Sequence, residues 1–401
     1  MKKTYIVIGA SAAGIGALTK LRTLDNTATI ICVTAEKDMP YNRCLLADYL
    51  AGTKTIDDVS TKKSDFFAAN NITLMLDSKV IKIVPDHHKI ILHSGQELTY
   101  DKLFIGAGRS TGMPKIPGSE LDGVFPFYDL RDVTKILDYI TQYQPKKAVI
   151  IGAGLSGVEC ADALTNHGIP VTIIERAAHA LPNQLDPAGA ELLTRIMQSK
   201  NVIVRANASI QEISCDKNTS TIDKRVAHVI LSNQEKISCD LVIFAIGART
   251  NSWLASDAGL EVLGNGIKVN DFMQTSNPYI FAGGDICMVK DKLTNDVIQS
   301  CLWTDAMMQG MTAAHGMVGV SKEYAGTLIV TSSHIFDTTF VTCGPVTNSS
   351  HTYQEVIKQD DTFYHKFLIH EKKLKGFIMV GNVDNVGKLR KLMQEQTEAT
   401  L

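Results

Sequence analysis

The chain has 401 residues, 45% hydrophobic and 20% charged, with a formal net charge of −2; it is too long for one ordinary core, and roughly two or three compact units are expected. It has no low-complexity tract, and its Lys and Arg are spread along the sequence, which argues against a disordered chain and against a nucleic-acid partner. No run reaches about 18 uninterrupted apolar residues, so no membrane span is expected.

In chain order, the first predicted element is the apolar β run Tyr5-Ile6-Val7-Ile8. Met1-Lys2-Lys3 followed by an apolar stretch to Leu18 has features of a leader peptide, but the stretch continues through Gly9-Ala10-Ser11-Ala12-Ala13-Gly14, a helix to about Leu24, and Thr29 to Val33 with Glu36 beyond. Removing it would destroy a βαβ device. Gly112 to Pro126 is rich in Pro and Gly and reads as a crossing linker. The same βαβ grammar then returns: Ala148-Val149-Ile150-Ile151, the turn Gly152-Ala153-Gly154-Leu155-Ser156-Gly157, a helix to about Asn166, and Val171 to Ile174 ending at Glu175. The β run Asp240 to Gly247 closes this second device, and Pro278 to Asp285 re-enters the first. Alternating apolar segments from about Glu323, with a final helix from about Asn385, suggest a small antiparallel domain. The expected architecture is α/β. Two domains with parallel, doubly wound sheets are followed by a small α+β domain over 323–401. The second of the two, 113–239, is inserted in the first, 1–112 and 240–322.

The two turns carry the chemistry. Phosphate oxygens must reach backbone amides at a helix N-terminus, where aligned peptide dipoles favour negative charge, so residues without bulky side chains are needed at fixed offsets. An acid about 20 residues on accepts hydrogen bonds from a ribose hydroxyl. Gly9, Ser11 and Gly14 with Glu36, and Gly152, Gly154 and Gly157 with Glu175, meet that demand, Ser11 standing where the middle glycine is usual. One such turn alone also arises when a helix simply packs close to a sheet; two, each with its acid, indicate two nucleotides. A carboxylate at Glu175 pairs with a free 2′-hydroxyl and repels a 2′-phosphate, so NADH is expected over NADPH, with Arg176 as the countersignal.

With these motifs the chain resembles the pyridine nucleotide-disulfide oxidoreductase superfamily, in the branch of NADH:rubredoxin reductases, nitrite reductase flavoproteins and NADH oxidases. Further motifs stand in the right order: Tyr100 to Gly108, Ala245-Ile246-Gly247, Thr275 to Asp285, and Leu302-Trp303 to Gly310 with Ala313, Ala314 and Met317. The resemblance implies two Rossmann-like domains, FAD in the first and NAD in the inserted one, with Gly247 beside the NAD. For FAD it implies a pyrophosphate cradle of Gly9, Ser11, Ala12, Ala13 and Gly14, with Glu36 on the adenosine ribose and Asp285 on the ribityl chain. Val80 would meet the adenine, and Arg43, Ala107, Gly108 and Trp303 would line the flavin site. Glu159 would lie near flavin and nicotinamide; the plainer alternative is an acid favoured by the helix dipole. Where the family usually has Ala-Thr-Gly this chain has Gly106-Ala107-Gly108. Asp48 replaces the lysine of reductases that serve ring oxygenases.

Cys44 has two readings. If Asn42 caps a helix, Cys44 lies in its first turn, where the dipole and Arg43 would favour thiolate and redox chemistry beside the flavin; otherwise it is a small apolar residue facing Leu45 and Leu46. The implied activity is hydride transfer from NADH to FAD, with electrons passed on to a rubredoxin-like protein. The alternatives are oxygen, a coenzyme A disulfide or a persulfide through Cys44, or a redox sensor with little turnover. Peroxidase activity is disfavoured because Ala12 stands where peroxidases carry histidine. The eight cysteines form no Cys-x-x-Cys or zinc pattern, so no metal is expected and cytoplasm is the default location. The resemblance also implies that the third domain can serve as a homodimer interface, although monomers occur among rubredoxin reductases. Met307, Met308, Met311 and Met317 are expected to fill core gaps, and His315 and His334 to be structural.

Overall fold

A computed structural model describes residues 2–216, 224–348 and 351–398. Contacts divide the chain into two units, one drawn from residues up to Cys44, Ile56–Ser110 and Ala248–Ile329, the other from Leu45–Thr55, Thr111–Gly247 and Val330 onward. Met1 of the leader-like start lies outside the described residues.

The first unit is built on a parallel sheet in the order Ile280–Ala282, Lys102–Ile105, Thr4–Ile8, Thr29–Val33, Ile72–Met75. Its central strands read as continuous apolar runs because both faces are covered; Tyr5, Ile6, Val7, Leu103 and Phe104 are completely buried. Helices Ala12–Leu24 and Trp303–Met317 cross with almost no side chain between them. A Cβ on Gly16 would stand 2.3 Å from the Met307 carbonyl oxygen, and one on Gly310 would stand 1.9 Å from that of Ala13. Of the methionines expected in the core, Met317 is buried, but Met308 is 53% exposed, because the small residues already fill the helix contact.

The second unit has its own parallel sheet, ordered Val202–Arg205, Val171–Ile174, Ala148–Ile151, Leu241–Phe244, Val124–Pro126. The segment read as a linker therefore ends in a strand. Pro126 is tolerated there because the strand lies at the sheet edge, where a missing N–H costs no ladder bond. Strands Val330–Ile335, Thr338–Cys343, Gln354–Gln359, Tyr364–His370 and Lys373–Val380 form a five-stranded antiparallel sheet, followed by helix Val386–Glu395. Contacts group this sheet with the middle segment in one compact unit, which the chain enters at Val330, seven residues beyond the boundary expected at 323. One cause is polar: Asp186, which caps helix Pro187–Ser199, accepts from Tyr364 Oη at 2.7 Å and from the buried Lys366 Nζ at 3.1 Å, both on strand Tyr364–His370. The short helix Leu46–Leu50, expected within the first domain, packs in this unit on helices Leu155–Asn166 and Leu130–Tyr143. Among the described residues no helix is long and apolar enough to cross a membrane.

Candidate cofactor sites

In the first unit, strand Thr4–Ile8 feeds helix Ala12–Leu24 through Gly9 at φ +96°. A Cβ there would lie 2.2 Å from the Gly106 carbonyl oxygen, and one on Gly14 only 1.8 Å from that of Gly9. These two glycines let the helix N-terminus settle onto the strand ends. Ser11 is the N-cap, in extended backbone, and its hydroxyl makes no capping bond. The first turn of the helix is Ala12, Ala13 and Gly14, with no acid to compensate the dipole, which suits an anionic group. Beside it lies a depression lined by Ala10, Ser11, Thr34, Glu36, Tyr41 and Arg43. Glu36 Oε1 accepts from Arg43 Nη2, and the Arg43 guanidinium lies over the Tyr41 ring.

Asp285 follows strand Ile280–Ala282 through Gly283 and Gly284. Burial raises its carboxyl above the usual aspartate range, and Arg109 and Arg43 pull it back down. Arg43 thus serves both Glu36 and Asp285. The Gly284 N–H donates to Gln309 Oε1 at 2.7 Å; Gln309 is fully buried, and its Nε2 donates to Ser300 Oγ at 3.3 Å and Tyr324 Oη at 3.4 Å. Trp303 opens helix Trp303–Met317, partly buried against the core. The Gly106-Ala107-Gly108 loop, which lacks the family threonine, is held by Asn251, whose Nδ2 donates to the Ala107 carbonyl at 2.8 Å and whose N–H donates to that of Gly108 at 3.0 Å. Val80 is buried and opens strand Val80–Val84 beside a register shift.

At Cys44 the structure departs from the local setting expected for each reading, a helix first turn in one and a core position in the other. The Asn42 side chain does accept from the Cys44 N–H at 3.0 Å, but the turn is a three-residue 3₁₀ piece, Arg43–Leu45, and the five-residue helix begins only at Leu46. So short a turn has too few aligned peptides to supply the expected helix dipole. Nor does Cys44 join a core; it is exposed while Leu46 is buried.

In the second unit Gly152 has φ +106°, with a Cβ position 2.6 Å from the Ala245 carbonyl oxygen, and a Cβ on Gly157 would stand 2.0 Å from that of Gly152. Gly154, the N-cap of helix Leu155–Asn166, differs: a Cβ there meets nothing within 4 Å. No acid lies in this first turn either. Glu175 is braced across the cradle, Oε2 accepting from the Ala153 N–H and Oε1 from the Ala177 N–H, each at 2.7 Å. Gly247, three residues beyond strand Leu241–Phe244, is exposed at φ +89°.

Glu159 lies past the first turn of its helix. A dipole-stabilised acid would titrate low, yet burial pushes this carboxyl up to about 7, with Asp48 and Asp162 acting in the same direction against a hydrogen bond from Ser333. Sequence reading missed that partner, along with Gln309, Asn251 and Arg109; only Gln309 stood inside a quoted motif. His315 is buried, with Nδ1 2.9 Å from the Met311 carbonyl, and His334 is exposed on a C-terminal strand. Among the described residues no group of three or more His, Cys, Asp or Glu could hold a metal ion.

A family model described as pyridine nucleotide-disulphide oxidoreductase matches residues 3–314, and one described as rubredoxin NAD+ reductase C-terminal domain matches residues 330–397. The chain is 31% identical to an NADH oxidase of Methanocaldococcus jannaschii over 83% of this chain and 74% of that protein. To an NADH-rubredoxin oxidoreductase of Clostridium acetobutylicum it is 28% identical over 98% and 94%. A nitrite reductase [NAD(P)H] of Bacillus subtilis is 28% identical over 99% of this chain, which spans only 48% of that protein's length. Among solved structures, an NAD-dependent persulfide reductase from A. fulgidus superposes with a TM-score of 0.90 at 26% identity, covering 98% of this chain and 77% of that one.

Proposed function

Since the chain belongs to the pyridine nucleotide-disulphide oxidoreductase family and is an FAD-dependent NADH oxidoreductase, we propose that it passes electrons from NADH to a small, rubredoxin-like electron-transfer protein. The observation that carries this acceptor is the match of residues 330–397 to the C-terminal domain of rubredoxin NAD+ reductases.

In this reading FAD occupies the first unit and NADH the second. When bound, FAD would supply the hydride-accepting and electron-relaying chemistry between NADH and the acceptor. The protein's work is binding and orientation. Amides of Ser11, Ala12 and Ala13 at the first helix hold the FAD pyrophosphate, Glu36 its adenosine ribose and Asp285 its ribityl chain. Val80 meets the adenine, and Arg43, Ala107, Gly108 and Trp303 complete the site. The open space at Gly154, between Gly152 and Gly157, admits the NADH pyrophosphate. Gly247 lies beside the dinucleotide. Glu175, already oriented by two amides, takes the ribose hydroxyls and selects NADH against NADPH by repelling a 2′-phosphate. Glu159 acts near the nicotinamide.

A second reading sends the electrons to oxygen, a coenzyme A disulfide or a persulfide through Cys44, and the exposure of that thiol beside Arg43 favours it. A screen of reduced rubredoxin formation, oxygen uptake and disulfide or persulfide reduction, in wild type and Cys44→Ser, separates the two. Rubredoxin reduction unchanged by the substitution supports the protein acceptor; loss of a small-molecule activity in Cys44→Ser supports the thiol. A stable oxidised complex with NADH in stopped flow would leave only a redox sensor.

A further inference from the structure

Glu159 is held from outside its own fold layer. Ser333, on the first strand of the C-terminal sheet (Val330–Ile335), donates its hydroxyl to Glu159 Oε1 at 2.8 Å across 174 residues of sequence. Among the described residues the charged groups facing Glu159 are both carboxylates: Asp48, on the helix packed against its own, and Asp162, on the next turn. His334 and Lys200 bear on Asp162. The strand carrying Ser333 is well fixed, since its sheet is pinned through Tyr364, Lys366 and Asp186.

A lone carboxyl turns freely about its last bond and presents either oxygen. With Oε1 engaged by Ser333, Oε2 is the oxygen left for a ligand. We propose that Ser333 is a positioning residue of the nicotinamide end of the NADH site, so that the C-terminal sheet takes part in recognising the hydride donor by fixing the orientation of Glu159. The inference rests on the reading of Glu159 as a residue near the nicotinamide. It deepens that reading by giving the C-terminal domain a role in the donor half-reaction.

The test uses the FAD-loaded protein as wild type, Ser333→Ala, Ser333→Thr, Glu159→Gln and Lys200→Ala. Two readouts are taken: the infrared titration of the Glu159 carboxyl, assigned by difference against Glu159→Gln, and the NADH and pH dependence of flavin reduction in stopped flow. Losing one hydrogen bond to the charged form raises the Ser333→Ala titration by about one pH unit. The NADH concentration for half-maximal reduction rises about fivefold to tenfold, with little change in the limiting rate. Ser333→Thr restores both, and Lys200→Ala, which breaks only an exposed pair between the end of helix Pro187–Ser199 and Asp337 in the turn after the Ser333 strand, moves neither. An infrared titration identical in Ser333→Ala and wild type overturns the proposal directly. A shifted infrared titration, with NADH dependence unchanged in both Ser333→Ala and Glu159→Gln, overturns it through its premise: the coupling then exists, but Glu159 is not a nicotinamide residue.

Discussion

Replacing Glu159 by Gln should stabilise the protein at alkaline pH and leave it nearly unchanged at acid pH. Glutamine keeps the shape and can still accept from Ser333, while removing the ionisation. The folded-state carboxyl is pushed up from the ordinary 4.5 to about 7, chiefly by burial and then by Asp48 and Asp162. A raised acid favours folding fully only below its unfolded value, and that advantage is lost as pH climbs through the folded one. The interval is worth roughly 3 kcal/mol at most, fully expressed above about pH 8 and absent below about pH 4.5. Urea unfolding followed by circular dichroism, on both proteins in parallel from pH 5 to 8.5, reads the difference directly, since every other titrating group is common to the pair. Two stability curves that stay parallel across this range would refute the argument, because they would mean that Glu159 pays no penalty for its charge.

Gly154→Ala should fold and retain flavin, because a Cβ there meets nothing within 4 Å, while its KM for NADH rises about tenfold or more as the methyl enters the phosphate space; an unchanged KM would remove the pyrophosphate from this turn. Gly157→Ala, 2.0 Å from a backbone oxygen, should instead lose soluble folded protein, and a wild-type melting temperature would contradict the packing. Gln309→Leu strips the Gly284 N–H of its acceptor, at about 1–3 kcal/mol for a buried donor, and should lower flavin retention on dialysis; full retention would mean that the Gly283-Gly284-Asp285 loop needs no such support. Asp48→Lys places a positive charge where a carboxylate now faces Glu159 and should move the infrared titration of Glu159 to lower pH; movement upward or none would show that the two side chains do not interact.

What could be read in the sequence was what local pattern records. Both βαβ devices, their distal acids and the C-terminal sheet lie where periodicity and turn chemistry placed them, because buried parallel strands and close helix starts leave few residue choices. Within that sheet strands Thr338–Cys343 and Gln354–Gln359 escaped notice, the second because its residues are half-buried or exposed and mostly polar, and Val124–Pro126 escaped because its proline imitates a linker. The side chains that hold the sites were illegible for another reason. Gln309 reaches Gly284 across 25 residues, Asn251 reaches Ala107 across 144, and Ser333 reaches Glu159 across 174; such pairings are fixed by topology and leave no mark in any window of sequence.

The glycines show where reading a motif stops being reading a site. In both turns a small residue is required at each position, and sequence assigns all of them to the phosphate. The structure gives two separate causes. Gly9, Gly14, Gly152 and Gly157 lie so close to neighbouring backbone that a methyl would collide with the chain itself; their presence would be required by the packing of helix on strand even if no nucleotide ever bound. Gly154 alone among these turn glycines faces empty space, so no contact among the described residues demands it there, and the proposed NADH is what would. In the first turn the equivalent position is Ser11, whose hydroxyl is not spent on capping the helix. The case that each turn receives a ligand therefore rests on one position apiece, and those two positions are where a substitution separates binding from folding.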